Sequence, residues 1–387
     1  MLEVRQLPFE VPKYSLIGDI LSFQRCGLQY RYYSGSSLPP SRPVQLWTGE
    51  FTHGVMEEAF LVWNTIGPIF PWPCNITPWP TPNSVAPRIP NDIGVLGDIV
   101  EARLLAKGMR PRSSIARNMA YERISKAINL IAPILFPLIT STEERISGTR
   151  QMPNLTIPLG QRPRGDRYEL TGVADVISSV SITANPTNFI VNMMLEEFPS
   201  LNGTFDVIVD YKAARRPPTV SIPGETPYWA YQEWQIQTYS WLRQQQHNSH
   251  PVKVGLIIYT NELSPSKDDL SELLSEIRQS RTDVSPIRGS SDYYELFRWA
   301  PGARMPIFSG DYLLRRAFRF IDVHQQNINH AVQMIDNVVA QIEGCAVQEN
   351  CSGTILNQWP TNGGSSDCAS CDFRRFCKST SAPNAPG

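Results

Sequence analysis

The sequence predicts an α/β fold, a mixed central sheet flanked by helices, and three observations carry that expectation. Two Val/Ile-dense runs, Thr171 to Ile177 and Phe205 to Lys212, have the composition of buried strands. A helical stretch from Tyr228 to Gln246 follows the second run and leads to a further β-rich run, Lys253 to Tyr259, so strand, helix and strand imply a parallel crossover. Cysteines near both ends of the 387 residues, at Cys26 and at Cys368, Cys371 and Cys377, favour one domain over 1–387 that carries insertions, rather than two domains.

Taken in order, Lys13 to Tyr33 reads as a helix with Ser15 as its N-cap and Ile17, Ile20, Leu21 and Leu28 on one stripe. Cys26 lies late in it, before the aromatics Tyr30, Tyr32 and Tyr33. Thr48 to Trp63 is a second helix bearing His53, Glu57 and Glu58. Ile66 to Gly94, rich in Pro, Trp and Asn, is a loop insertion. Asp98 to Leu138 gives one or two helices with Arg103, Arg110, Arg112, Arg117 and Arg123 along them. A solvated face explains these arginines better than a DNA-groove wall, because only Tyr121 interleaves as a stacking residue. Gln151 to Val180 is expected to form a hairpin with a basic turn at Gln161 to Arg167. Ser181 to Gly203 is a second insertion containing a small helix over Phe189 to Phe198. Beyond Tyr259, Asp268 to Gln279 reads as an exposed helix and Gly310 to Gly344 as one long helix ended by its glycine. Cys345 to Gly387 reads as a Cys-rich, loop-like segment that closes onto the N-terminal helix.

Composition narrows the classes. Hydrophobic content of 41% with 18% charged residues describes a globular chain, not a disordered or fibrous one. The net charge of -1 provides no global field for nucleic acid, so any phosphate-binding surface must be local. Of the 35 basic residues, 28 are Arg and seven are Lys. Base composition of the coding sequence is the plain explanation, yet it makes a Lys beside two acids conspicuous. Leu130 to Ile139, the longest apolar stretch, is too short to span a bilayer, and Met1 to Asp19 has no apolar leader, which leads to the expectation of a soluble, cytoplasmic protein with no membrane partner. In that compartment, spaced cysteines point to metal before disulfide.

Chemistry concentrates at two places. Asp175 and Asp210 sit where buried strands end or bend, and Lys212 shares Asp210's face of the strand by the period of two. Carboxylates beside an apolar sheet need a cation or several donors. Two oxygen ligands from neighbouring strands suit Mg²⁺ or Mn²⁺, and a nearby ammonium can hold or deprotonate a metal-bound water. By itself Asp-x-Lys is better explained by a structural pair on an exposed edge, because three-residue patterns occur by chance. The second place is Cys368-x2-Cys371-x5-Cys377, three thiolates that need a fourth ligand to complete a tetrahedral zinc or a 4Fe-4S site. Cys26, Cys345 and Cys351 are the candidates for it, and Cys74 reads as an ordinary residue.

Together, Ser15 leading to Cys26, Gly49-x3-His53, Gly172-x2-Asp175, Asp210-Tyr211-Lys212 with Gln235-x3-Tyr239, and the C-terminal cysteine trio form a five-part ordered pattern. This pattern resembles the PD-(D/E)XK nucleases of the RecB-like group, especially the iron-sulfur exonucleases associated with CRISPR systems and the AddB-type nuclease domain. The match runs from about Ser15 to Lys378. The resemblance implies a PD-(D/E)XK (restriction-endonuclease-like) core and metal-dependent DNA cleavage, preferably of single-stranded or frayed ends, in DNA repair or CRISPR spacer acquisition. It implies that His53, Asp175, Asp210 and the Tyr211 carbonyl hold Mg²⁺ or Mn²⁺, that Lys212 is catalytic, and that Gln235 and Tyr239 support the site. It also implies a 4Fe-4S cluster on Cys26, Cys368, Cys371 and Cys377, with zinc as the second choice. The chain has no Gly-x4-Gly-Lys-Ser/Thr loop, so unwinding would fall to a partner such as a helicase, or the chain would serve CRISPR integrase subunits. The competing expectation is a non-catalytic iron-sulfur DNA-binding or scaffold subunit.

Overall fold

Two apolar layers, one on each side of a six-stranded sheet, organise the chain. The computed structural model describes residues 10–35, 44–77, 89–220, 228–355, 357–369, 371–374 and 377. Residues 78–88 of the expected first insertion and 378–387 of the C-terminal segment lie outside the described residues.

The elements are β1 (Lys13–Ser15), a wide π turn (Leu16–Leu21), α1 (Ser22–Arg25), α2 (Gly27–Gly35), α3 (Val44–Ile66), α4 (Ile93–Ala106), α5 (Ser114–Leu135), β2 (Ile139–Gln151), β3 (Arg167–Ser181), α6 (Phe189–Glu197), β4 (Thr204–Lys212), α7 (Tyr228–Gln244), β5 (Val252–Tyr259), α8 (Lys267–Arg278), α9 (Ser291–Arg298), α10 (Gly310–Ala317), β6 (Phe318–Asp322), α11 (Gln325–Ser352) and α12 (Ser365–Ala369). One layer, built by α3, α4, α5 and α6, packs residues such as Phe51, Val55, Tyr121 and Ile128 on Val176, Val207 and Val209. The other, built by α1, α2, α7 and α11, packs Phe23, Trp234, Ile236 and Ile335 on Leu170, Ala174 and Ile208. The mixed α/β architecture expected from the β-rich runs is present. β4 and β5 are parallel, as the strand-helix-strand reading requires.

β3 is the organising strand. β2 lies antiparallel to it from Ile139↔Ser178 to Gln151↔Arg167. On its other edge β1 pairs in parallel with Glu169 to Thr171, and β4 pairs antiparallel with Val176 to Ser181. Residues 172–175 therefore face a fork where β1 and β4 part. Sidedness changes in the same place: Leu170 and Ala174 face the α7 layer, whereas Val176 and Val180 face the α3 layer.

Several expectations are corrected. The N-terminal helix is not continuous: Cys26 has extended backbone (φ -164°, ψ 112°) and separates α1 from α2. Ser15 ends β1 and stands at the N-cap position of the π turn, but its side chain caps no helix amide: its hydroxyl and amide both donate to Asp19. The hairpin begins at Ile139, not Gln151, and its connection spans 152–166. Gly310 to Gly344 is not one helix, because Phe318-Arg-Phe-Ile-Asp322 has the period of a strand and adds an edge to β5. Gly344 lies inside α11, which ends instead at Gly353 in the left-handed conformation (φ 67°) that glycine adopts without strain. Cys345 and Cys351 are consequently helical, and the loop-like segment starts after Gly353. The arginines of α4 and α5 are taken by acids: Arg103 by Glu58, Arg117 by Asp98 and Glu101, and Arg123 by Asp269. Among the described residues no helix is long and apolar enough to cross a membrane.

Candidate active site and cysteine recess

The fork beside β3 gathers the acidic residues. Asp175 lies in β3 at the fork, where neither β1 nor β4 pairs with that edge, and its Oδ2 accepts a hydrogen bond from the Tyr211 amide at 2.9 Å. From α3, His53 Nδ1 approaches the same oxygen to 3.2 Å. Burial alone would lower the imidazole's pKa. The charge of Asp175 and its hydrogen bond, reinforced by Asp210, outweigh burial and hold it at about 9. His53 is thus an imidazolium paired with Asp175 when no cation is bound.

Asp210 and Lys212 share one face of β4, as their spacing requires, and both meet Gln235 on α7. Gln235 Nε2 donates to Asp210 Oδ1 at 3.1 Å, while its Oε1 accepts from Lys212 Nζ at 3.1 Å. Lys212 Nζ also lies 2.7 Å from Asp210 Oδ2. The Lys212 ammonium is thus the partner of Oδ2, which is shielded from water and meets no other donor among the described residues. Burial raises the Asp210 pKa, Lys212 pulls it down, and the charge of Asp175 pushes it up again. A buried carboxylate oxygen held by a single ammonium, beside a second carboxylate, is a fitting ligand for a hard divalent cation.

Tyr239, one turn beyond Gln235 and buried, packs over Gly172. A Cβ at position 172 would stand 2.5 Å from the Tyr239 ring, which gives the glycine of Gly172-x2-Asp175 a steric reason. Gly49 has no such reason, since a Cβ there meets nothing within 4 Å.

One member of the site is absent from the sequence reading. Glu143 on β2 lies opposite Asp175, between the pairs Thr142↔Val176 and Glu144↔Ala174. It holds φ at 49°, a left-handed conformation that few residues other than glycine and asparagine enter freely. Its carboxylate, a His53 nitrogen and an Asp175 oxygen all lie within 4.8 Å of one another. Burial raises the Glu143 pKa to about 7, with Asp175 and Glu57 adding to it. Residues 139–150 fell between the elements expected from sequence, and the one signal for Glu143 is its register opposite Asp175.

The cysteines meet at the other end of the molecule's sequence map. Cys26, Cys368, Cys371 and Cys377 line one recess of about 370 Å³, together with Gln29, Gly363 and Arg374. Burial raises the pKa of Cys368 and Cys371, and in both the neighbouring thiols of Cys26 and Cys377 raise it further. The break at Cys26 exposes the first amides of α2 to the C-terminal loop: Leu28 N donates to Pro360 O at 2.9 Å, and Gly27 N to Asn362 Oδ1 at 3.1 Å. Tyr32 and Tyr33 pack against Phe373 with ring centroids 4.7 and 4.9 Å away, and Tyr33 Oη donates to Asp372 at 2.6 Å. Cys345, its thiol pushed up to about 11 by burial, lines a different groove with Trp359 and Gln348. Cys351 is exposed on α11, and Cys74 packs under the α3 layer.

No family model and no curated protein matches the chain. A solved structure titled "Crystal structure of SSO0001" aligns at 10% identity over 88% of this chain and 97% of that one, with a TM-score of 0.25. That likeness is too low to bear on fold or function.

Proposed function

We propose that the chain is a metal-dependent deoxyribonuclease with a PD-(D/E)XK core, hydrolysing phosphodiesters of single-stranded or frayed DNA. The observation that carries this reading is Asp210, buried at the fork of the sheet between the Lys212 ammonium and the carboxylate of Asp175. Asp175, Asp210 and the Tyr211 carbonyl, with His53 from α3, would hold Mg²⁺ or Mn²⁺. Such an ion, when bound, polarises the phosphate and acidifies a water. The residues themselves do the rest. Gln235 fixes Asp210 and Lys212 in one plane of hydrogen bonds, so neither side chain has to reorganise when substrate arrives. Lys212 keeps its ammonium where negative charge develops in the transition state. Tyr239, packed on Gly172, holds the α7 turn that presents Gln235.

The cysteine recess fits a 4Fe-4S cluster better than zinc. One tetrahedral zinc, with bonds of about 2.3 Å, draws its sulfurs to within roughly 3.8 Å of one another. Among the described residues, however, the set of three His, Cys, Asp or Glu ligands lying within 4.8 Å is His53, Glu143 and Asp175, so no three of these sulfurs are that close. The deciding experiment is anaerobic purification, an absorbance spectrum and Mn²⁺-dependent digestion of labelled single-stranded DNA. Iron with no digestion would favour the non-catalytic DNA-binding subunit.

A further inference from the structure

We propose that the outward face of α9 is a stacking platform for single-stranded DNA, a second and non-catalytic site on the stretch between β5 and β6. The inference rests on the nuclease reading for its choice of ligand, but not for the existence of the site. No part of the five-part pattern falls on residues 260–317.

The sequence of α9, Ser291-Asp-Tyr-Tyr-Glu-Leu-Phe-Arg298, sorts its side chains by angle. Leu296 points inward, and with Trp299 just past the helix it closes a small core with Leu270, Leu273 and Leu274 of α8. The two acids lie on a flank and are occupied. Asp292 accepts from the amide and the hydroxyl of Ser309, both at 2.6 Å, and Glu295 accepts from the Ile307 amide at 3.1 Å. Tyr293, Tyr294, Phe297 and Arg298 remain, at i, i+1, i+4 and i+5, on the face opposite Leu296. Tyr294 is 47% exposed and Phe297 37%. A lone exposed ring needs no explanation, whereas rings in contact with each other mark a surface that meets something. The Tyr293 ring lies 4.4 Å from Phe297 at 31° and 5.7 Å from Tyr294 at 86°, and the Arg298 guanidinium sits 5.0 Å over Tyr294.

Charge selects the occupant. Arg298, and the exposed Arg288 and Arg304 that flank the helix in sequence, pair with no acid among the described residues, whereas Arg123, Arg215 and Arg216 around the same stretch each hold one. Stacked rings edged by unpaired arginines and cleared of acids match a polymer that alternates flat bases with phosphates. An uncharged apolar face would suit a protein partner instead. With a net charge of -1, the chain needs such a local surface to hold phosphates. The platform is also rooted beside the proposed site. Lys212 and Tyr259 are register partners, Thr260 Oγ1 donates to the Lys212 carbonyl at 3.3 Å, and Arg215 holds Glu276 of α8 at 2.6 Å. Because α8 carries α9, a strand held there is tethered to the end of the sheet that bears Lys212, which raises its effective concentration at the site.

The test reads binding as fluorescence anisotropy of a labelled oligo(dT) of about 20 nucleotides, on the anaerobically purified full-length chain. Divalent cations are left out, so neither metal nor cleavage enters. Contact is read by photocrosslinking the same oligonucleotide carrying 5-iododeoxyuridine, with the adduct mapped by mass spectrometry. The adduct should fall within residues 293–298. Tyr294→Ala and Phe297→Ala should each weaken binding about tenfold, and Tyr294→Phe, which keeps the ring, should bind as the parent does. Arg298→Ala should lower the slope of log affinity against log salt by about one, the loss of a phosphate contact. Should Phe297→Ala lower the thermal midpoint, the more exposed Tyr294→Ala decides. Parental binding by a folded Tyr294→Ala, or adducts confined to residues outside α9, overturns the proposal. Parental binding with altered sedimentation also overturns it, and assigns the face to a second copy of the chain. Mn²⁺-dependent cleavage by the parent is read separately. Binding through α9 without cleavage would refute the nuclease reading and leave the platform standing, and cleavage without an adduct on α9 would do the reverse.

Discussion

At the carboxylate site every proposed ligand rides on regular structure: Asp175 on β3, Asp210 and Lys212 on β4, His53 on α3, Gln235 on α7. At the cysteine recess only Cys368 does, on the single short turn of α12, while Cys26 lies at a break between two helices and Cys371 and Cys377 on a loop. The carboxylate site carries its own compensating charge in Lys212 and His53. The cysteine recess holds no such built-in charge pair, and the thiols of Cys26 and Cys377 raise the pKa of Cys368 and Cys371. A site that must react is built on the rigid part of the fold, whereas a site that only ties can itself supply the order it needs.

The largest effect should come from the rigid site. Lys212→Met removes the ammonium beside Asp210, and Asp210→Asn removes the buried acceptor while keeping a partner for Gln235. Each should lower Mn²⁺-dependent cleavage of labelled single-stranded DNA by about 10²–10³-fold, the scale of losing one aimed charge. Circular dichroism should show an unchanged fold. Parental cleavage by either variant would dissolve the contrast, since the site would then be structural.

Next comes the tie between the chain's ends, which does not depend on the thiols alone. Arg31 on α2 grips Glu349 on α11 through two bonds of 2.6 and 2.7 Å, both side chains are at most 1% exposed, and Trp359 donates to the same carboxylate at 2.7 Å. Tyr14 and Arg164 share the buried Glu343 one stretch earlier on α11. Breaking such a pair strands a buried charge at about 3–5 kcal/mol. Arg31→Met should lower stability by that amount in denaturant melts, with cleavage by the surviving folded fraction unchanged. Pairing Arg31→Met with Glu349→Gln should recover part of the loss. No change would mean that the recess alone holds the ends.

Cluster loss should be smaller and local. Cys371→Ser should lose iron and admit protease cleavage within residues 357–377, while hydrogen exchange in α2 and α11 stays slow because Arg31–Glu349 remains. Exchange that accelerates throughout α2 would show the thiols to be the main tie. Cys345→Ser, in the separate groove, should retain full iron.

How much of this was legible in sequence depended on whether a residue's reason is local. Asp210, Lys212 and Gln235 follow from a period of two and a helix directly after, and the structure joins them by hydrogen bonds. Glu143 depends on the register of a strand that was not anticipated, because Ile139-Thr-Ser-Thr-Glu-Glu-Arg145 has no run of β-branched apolar residues to announce it. Phe318–Asp322 was absorbed into a helix since its flanks, α10 and α11, are strongly helical and an edge strand of five residues leaves little signature. The break at Cys26 arises from what α2 meets, Pro360 and Asn362, more than 330 residues away.

The smallest effect tests two glycines of the pattern against each other. Gly172→Ala drives a methyl into the Tyr239 ring and should cost about 1–3 kcal/mol by overpacking. Among the described residues Gly49→Ala meets no protein atom, and it replaces a mid-helix glycine, so it should stabilise α3 by about 0.5–1 kcal/mol. Gly49 precedes His53 by four residues and so lies one turn away on the same helix face, the face that turns toward Asp175. A glycine that no neighbour requires, next to a reactive site, points to close approach by something outside the chain. Gly49→Ala should therefore raise the thermal midpoint by a degree or more while slowing cleavage several-fold through a higher KM. A higher midpoint with unchanged KM would place the DNA path away from this turn of α3.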